Sequence, residues 1–323
     1  MTAVLAAPAD LTRVFASMAT QVTLRLVAPG SGAPAALDRA EDAVRLIASS
    51  CTRFDPASPL MRANAHPRRW HEVPAELFDA LRAAEQAHRV TDGRFDPRIL
   101  QALQAWGYDR SLPFRSGPVC TAGPDAPGGP AAIPRRRWRP RFDHDRRAVR
   151  IGSLPVDLGG IGKGFAVDRA AAALAEAGGS SLVEAGGDLY AHGSGPDGTG
   201  WAIGVEDPRG GSSPVAVLGL TDLACATSSI RLRHWTADGR TAHHLIDPRT
   251  GAPADGGLLS VTVVGPDVAT AEVWSKALFI AGRGQVRRLA DEHGLAALLV
   301  DTEGVVGLSR AMRPLVTWQA APC

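Results

Sequence analysis

The pattern of apolar and polar positions separates two kinds of element along this chain. Residues 20–28, TQVTLRLVA, alternate apolar and polar side chains, which predicts a half-buried strand. Leu37, Ala40, Val44 and Ile47 recur at steps of three and four, which predicts an amphipathic helix over 36–50. Leu77, Leu81, Ala84 and Ala87 repeat that pattern over 74–90, with Pro74 suited to a helix start. A shorter helix is expected at 97–106. Further helices are expected at 164–177, where Gly178-Gly179 provides a stop, and at 269–281 and 284–293. Strands are expected at 181–185, 201–206, 215–220 and 259–264, with a final strand pair over 295–308. The two kinds of element mix without a regular βαβ alternation, so the fold class expected is α+β, in one domain spanning 1–323.

Residues 113–140 break the pattern. They are rich in Pro and Gly, carry a basic cluster around Trp138, and read as an insertion or linker forming a solvated loop. The net charge of +2 gives no global field to mark nucleic acid or an anionic membrane as partner. Cys51, Cys120, Cys225 and Cys323 stand far apart, which excludes a zinc ribbon, a CxxC redox motif and a disulfide scaffold. No run of about 18 apolar residues exists, so no membrane span is expected. Asp10 and Arg13 interrupt the first segment early, no basic leader precedes them, and a cytoplasmic location with free thiols is expected. Lysine occurs only at Lys163 and Lys276, against 33 arginines (35 − 2). Two lysines surviving in so arginine-rich a chain mark positions where arginine does not serve.

The densest chemistry lies in Val156-Asp157-Leu158-Gly159-Gly160-Ile161-Gly162-Lys163-Gly164, continuing to Asp168. Such glycines let backbone N–H groups approach an anion at a helix start. The segment is not a Walker A loop, because Asp157 stands where that motif needs its first Gly. Alone, it fits both a tight strand-to-helix turn and a phosphate site. Ala226-Thr227-Ser228-Ser229 offers hydroxyls to phosphate or carbonyl oxygens. His243-His244 precedes an Asp247-Pro248-Arg249-Thr250-Gly251 turn, where a histidine serves as general base near neutral pH or simply caps the turn.

Taken in order, these segments resemble the ApbE family of FAD:protein FMN transferases. Cys51 to Ser58, followed by Asn64, is similar to the family's "SRYxPxS…N" segment. Thr91 to Pro97 is similar to its "GxFDP" turn, Asp157 to Asp168 to "DLGGIAKGxAxD", and Ala185 to Asp188 to "AGGD". Ala226 to Ser229 is similar to "ATSG", and His244 to Gly251 to "HIxDPxTG". The resemblance implies two lobes with FAD bound between them. It also implies transfer of FMN, through a phosphoester, to a threonine of an acceptor flavoprotein, with release of AMP. Carried onto this chain, it implies FAD contacts at Met18, Phe54, Arg94, Phe95, Asp96, Asp157, Lys163, Ser228, Ser229 and Lys276, and a catalytic His244. It further implies magnesium held by the Gly160 carbonyl and by side chains of the 269–281 helix.

At that helix the chain departs from the family. Where the family carries "ADxxxT", this sequence reads Ala271-Glu272-Val273-Trp274-Ser275-Lys276. Glu272 stands for the metal-ligand Asp and still reaches a magnesium ion, whereas the Lys276 ammonium is repelled by one. The expectation is that Lys276 occupies or borders the magnesium position with Glu272 as counter-charge. The alternative is an ordinary surface pair four residues apart. Two other functions fit the same motifs: a flavin-binding protein without transfer, and an FAD pyrophosphatase releasing free FMN and AMP.

Overall fold

Strands β1 (Leu11–Ser17) and β2 (Thr20–Val27) form a hairpin whose two turn residues, Met18 and Ala19, take φ of 50° and 57°. Positive φ at both positions gives the mirror-image turn that matches the twist of a two-residue hairpin. In the computed structural model, which describes residues 10–114, 119–123, 132–134 and 136–320, this hairpin starts an eight-stranded sheet. The sheet continues through β3 (Ser180–Ala185), β4 (Asp188–His192), β5 (Leu223–Ser229) and β6 (Leu258–Gly265), and ends with β7 (Ala296–Asp301) and β8 (Val306–Leu308). Each strand pairs antiparallel with the next in chain order, and nothing crosses over.

Alternation along these strands decides the layers. Val22, Leu24 and Leu26 of β2 and Val261 and Val263 of β6 face the helices α1 (Ala33–Cys51), α2 (Ala75–Val90), α3 (Gly162–Ala175) and α4 (Val268–Ala281). Leu189, Cys225, Val264 and Leu298 point to the other side. There they pack beneath a three-stranded sheet of Trp201–Val205, Ala216–Leu220 and Val316–Gln319. The result is helices on one face and a small sheet on the other, a three-layer α+β arrangement. α3 lies against both α1 and α4, and α4 lies on β5 and β6.

The expected helices form at 33–51, 75–90, 162–175, 268–281 and 286–292. The expected 97–106 helix is shorter. Asp96 caps a 3-10 turn at Pro97–Ile99, and an α-helix runs only over Leu100–Ala105. β1, β4 and β5 were not expected.

Residues 113–140 need correcting as a solvated loop. Trp138 is 3% exposed; its indole N–H donates to the Ile151 carbonyl at 2.9 Å and its backbone N–H to His88 Nε2 at 3.0 Å. Its ring fills the core beside α2, which outweighs the charge of the neighbouring arginines. Cys120–Thr121 pairs in parallel with His234–Ala237, and the Ile133 N–H donates to the Pro248 carbonyl at 2.9 Å. The rest of the expected insertion, at 115–118, 124–131 and 135, lies outside the described residues. Among the described residues, no helix is long and apolar enough to cross a membrane.

Candidate functional site

A cleft of about 560 Å³ opens where the β1–β2 turn, the end of α1, the start of α3 and the middle of α4 converge. Met18 sits at its rim on the strained turn, and Phe54, 41% exposed, stands at its mouth.

The first wall follows from the Arg53–Ser58 segment. Buried Arg53 lays its guanidinium against the Phe54 and Tyr108 rings, 4.2 and 4.4 Å from their centroids. Its Nη1 donates to the Tyr108 carbonyl at 2.6 Å, and its Nε lies 3.4 Å from Asp157 Oδ1. Ser58 then caps the short helix Pro59–Ala65, which presents Asn64. The Asn64 amide clips Val156 in both directions, donating to its carbonyl at 2.8 Å and accepting its N–H at 2.9 Å. That clip delivers Asp157 to the cleft.

The Arg94–Asp96 turn forms the next wall. Arg94 lines the cleft. Phe95 is buried with its ring edge on Gly160, where an added Cβ would lie 3.0 Å from Phe95 Cε2, so glycine is the residue that fits. Asp96 touches the cleft, but its carboxylate is committed elsewhere: Oδ1 accepts Arg98 Nε at 2.9 Å and Oδ2 accepts Arg98 Nη2 at 2.6 Å. It fixes the turn instead of reaching outward.

Opposite lies a cluster of charges between α3 and α4. The helices touch at backbone distance, since a Cβ on Gly164 would come within 2.7 Å of the Val268–Ala269 backbone. Asp168 locks them by accepting the N–H groups of Val268 (2.7 Å) and Ala269 (3.0 Å) at the start of α4. This contact sets Glu272, 1% exposed, against both lysines of the chain. Glu272 Oε1 lies 3.0 Å from Lys276 Nζ and 3.4 Å from Lys163 Nζ, while Oε2 accepts the Gly164 N–H at 2.8 Å. Lys163 also pairs with Asp188 at the start of β4, and Asp188 Oδ1 accepts the Thr227 N–H at 3.2 Å. Burial works to raise the Glu272 pKa, but the two ammoniums outweigh it and hold the carboxylate well below its ordinary range. Burial pulls Lys163 down to about 8 and lowers Lys276 as well, with Glu272 opposing both shifts. The pair is buried structure, not an exposed surface pair.

His244 lines the same cleft, near enough for the Lys276 charge to act on it. Burial, then the charges of Arg233 and Lys276, push its pKa well below the ordinary histidine range, so the ring is neutral near pH 7 and free to accept a proton. His243 serves the core instead. Its Nε2 is 3.1 Å from the Ala254 carbonyl, its ring meets Phe279 edge-on, and burial pushes it down to about 4.

Met18, Phe54, Arg94, Phe95, Asp96, Asp157, Gly160, Lys163, His244 and Lys276 thus come together around one cleft. Ser228 and Ser229 do not. Alternation along β5 turns Ser228 under α4, where its Oγ meets Ser275 Oγ at 2.8 Å, and Ser229 Oγ accepts the Arg231 N–H at 3.2 Å. Arg53, Tyr108, Asp188 and Arg233 belong to the site and were missed. Arg53 and Asp188 lay inside quoted motifs; nothing in the sequence marked Tyr108 or Arg233.

At the expected magnesium site, Gly160 and Glu272 are engaged by other partners. A divalent cation needs oxygens free to turn toward it. Both Glu272 oxygens are taken by Lys276, Lys163 and the Gly164 N–H. The Lys276 stem lies against Gly160, its Cδ 3.3 Å from where a Cβ there would stand. Among the described residues, no three His, Cys, Asp or Glu gather in a metal-binding group. The donor set does not fit magnesium.

The chain is similar to known proteins of one family. The profile of the ApbE family matches residues 18–299. The FAD:protein FMN transferase of Haemophilus influenzae is 30% identical over 241 residues, covering 71% of this chain and 67% of that protein. The FAD:protein FMN transferase of Salmonella typhimurium is 28% identical over 253 residues, covering 76% and 71%. The crystal structure of a Thermotoga maritima ApbE protein superposes with a TM-score of 0.78 at 27% identity, covering 95% of this chain and 99% of that one. The apo flavinyl transferase ApbE of Pseudomonas stutzeri gives 0.76 at 25% identity, covering 96% and 98%.

Proposed function

The chain belongs to the ApbE family, and from that premise we propose that it is an FAD:protein FMN transferase. It cleaves FAD and joins FMN through a phosphoester to a threonine of an acceptor flavoprotein, releasing AMP. The observation that carries this reading is one cleft lined by a neutral histidine and by two lysines that share a buried carboxylate. Phosphoryl transfer asks for little else from a protein: charge neutralisation at the phosphates, a base for the attacking hydroxyl, and groups that hold the reactants in line.

In this reading Phe54 and the Arg53–Tyr108 stack flank the flavin, the glycine turn and Lys163 meet the pyrophosphate, and His244 takes the threonine proton. Asp96, Asn64 and Asp168 hold these groups in position. The free thiols of Cys51 and Cys225, both buried, support a cytoplasmic location.

Co-expression with a flavoprotein fragment bearing the acceptor threonine, followed by intact mass, tests the assignment. A covalent FMN adduct, lost in His244→Ala, is the expected result. Free FMN and AMP without adduct would identify a pyrophosphatase, and bound FAD without turnover a flavin-binding protein.

A further inference from the structure

Of the four charged side chains in this cluster, Lys163 and Lys276 line the cleft, and both share the buried Glu272 carboxylate. Two ammoniums stand against the two carboxylates of Glu272 and Asp188, so the cluster holds its lysines charged without leaving a net charge of its own. The Lys276 stem runs along Gly160, and its ammonium is held from one side by Glu272 Oε1 at 3.0 Å and, more weakly, by the Glu272 carbonyl at 3.4 Å. Arginine fills nearly every other basic position, yet a planar fork suits this slot poorly, whereas a compact ammonium fits it.

We infer that this chain transfers FMN without a divalent cation, the Lys276 ammonium supplying the positive charge at the pyrophosphate; the inference rests on the transferase reading above. In the step, the acceptor hydroxyl oxygen bonds to the FMN-side phosphorus, and the bond from that phosphorus to the bridging oxygen breaks. AMP leaves with the electron pair, and the hydroxyl proton passes to His244 and then to water. Charge gathers on the phosphoryl oxygens and on the leaving phosphate as that bond opens. Lys276 and Lys163 are preorganised donors for it. Glu272 is a positioning residue: its carboxylate is saturated by the lysines and aims Lys276 without meeting substrate.

The test uses the full chain stripped of metal on chelating resin, with FAD and the acceptor fragment. Three readouts are taken: adduct formation with EDTA or with added magnesium, FAD affinity by flavin fluorescence, and manganese binding by electron paramagnetic resonance with and without FAD. The expected result is an adduct rate and FAD affinity equal in EDTA and magnesium, and no bound manganese. Lys276→Met should lower the rate by about 10²–10³-fold, the usual effect of losing one preorganised donor, and weaken FAD binding, with no rescue by magnesium. Glu272→Asp combined with Lys276→Thr should bind manganese and make the rate magnesium-dependent. Loss of adduct in EDTA with recovery in magnesium, or FAD-dependent manganese binding by the unaltered chain, would overturn the inference. Absence of adduct under every condition would overturn the transferase reading and, with it, metal-free transfer by this chain.

Discussion

Asp168 Oδ1 accepts the backbone N–H of Val268 at 2.7 Å across 100 residues of sequence. With Oδ2 on Ala269, this single carboxylate ties α3 to the first turn of α4 and so sets the spacing between Lys163 and Glu272. Asp168→Ala should cost about 1–2 kcal/mol in urea unfolding, the range of a lost helix cap. Asp168→Asn keeps one acceptor and should cost less. Burial raises the Asp168 pKa from 3.8 to about 6, against its two backbone bonds. A folded pKa above the unfolded one means that the contribution is complete below about pH 4 and is lost as pH rises through about 6. The unaltered protein should therefore gain on Asp168→Asn as pH falls through that window; a constant difference would show that Asp168 does not titrate there.

Asp96→Ala should be the most damaging change in the cleft wall. It leaves Arg98 buried without its bidentate partner, a loss of about 3–5 kcal/mol. Asp96→Ala with Arg98→Leu should recover much of that loss, which thermal unfolding would show. If Asp96→Ala left stability intact and abolished FAD binding, the carboxylate would be a ligand contact instead.

His244 and His243 should separate cleanly. His244→Ala should lower the transfer rate by about 10²–10⁴-fold with FAD affinity within a few-fold, as for a lost general base. His243→Ala should instead lower stability, because its ring packs on Phe279. The lowered His244 pKa places the acid limb of the rate below pH 6.5, and the Lys163 value of about 8 places the alkaline limb near that pH. An acid limb at or above pH 6.5 would rule out His244 as the base in this environment.

Gly164→Ala should cost about 1–3 kcal/mol, since its methyl meets the α4 backbone at 2.7 Å. The same shift should pull Glu272 from the Gly164 N–H and reduce transfer. Gly162→Ala, where an added Cβ meets nothing within 4 Å, is the control expected to fold normally.

The helices were legible because one face of each carries apolar residues at helical spacing, and burial requires that face. The cleft residues were legible where they stand in contiguous motifs. β1 was not, because Val14 stays half exposed on an edge strand and blurs its alternation. Trp138 misled because its arginine neighbours dominate local polarity, whereas its position depends on Ile151 and His88. Ser228 misled because which face of β5 a hydroxyl occupies depends on pairing register, and the motif alone does not set register. Arg53 meets Tyr108 across 55 residues, and Asp157 is held beside them by the Asn64–Val156 clip across 92, contacts that no local pattern announces.

Because each strand of the large sheet joins the one before it, the sheet asks little of the chain between neighbours. The longest excursion leaves at Val27 and returns at Ser180, and the α1 end, the Arg94–Asp96 turn, Asp157 and Lys163 all lie within it. Closing such a loop grows costlier only with the logarithm of its length, about 0.6 kcal/mol per doubling. The wall that meets the ligand is therefore free to lengthen, shorten or exchange segments during descent while the strand ladder keeps its register. Glu272 and Lys276 ride on α4, outside that excursion, so the α4 charges and the wall that the excursion builds are able to change separately.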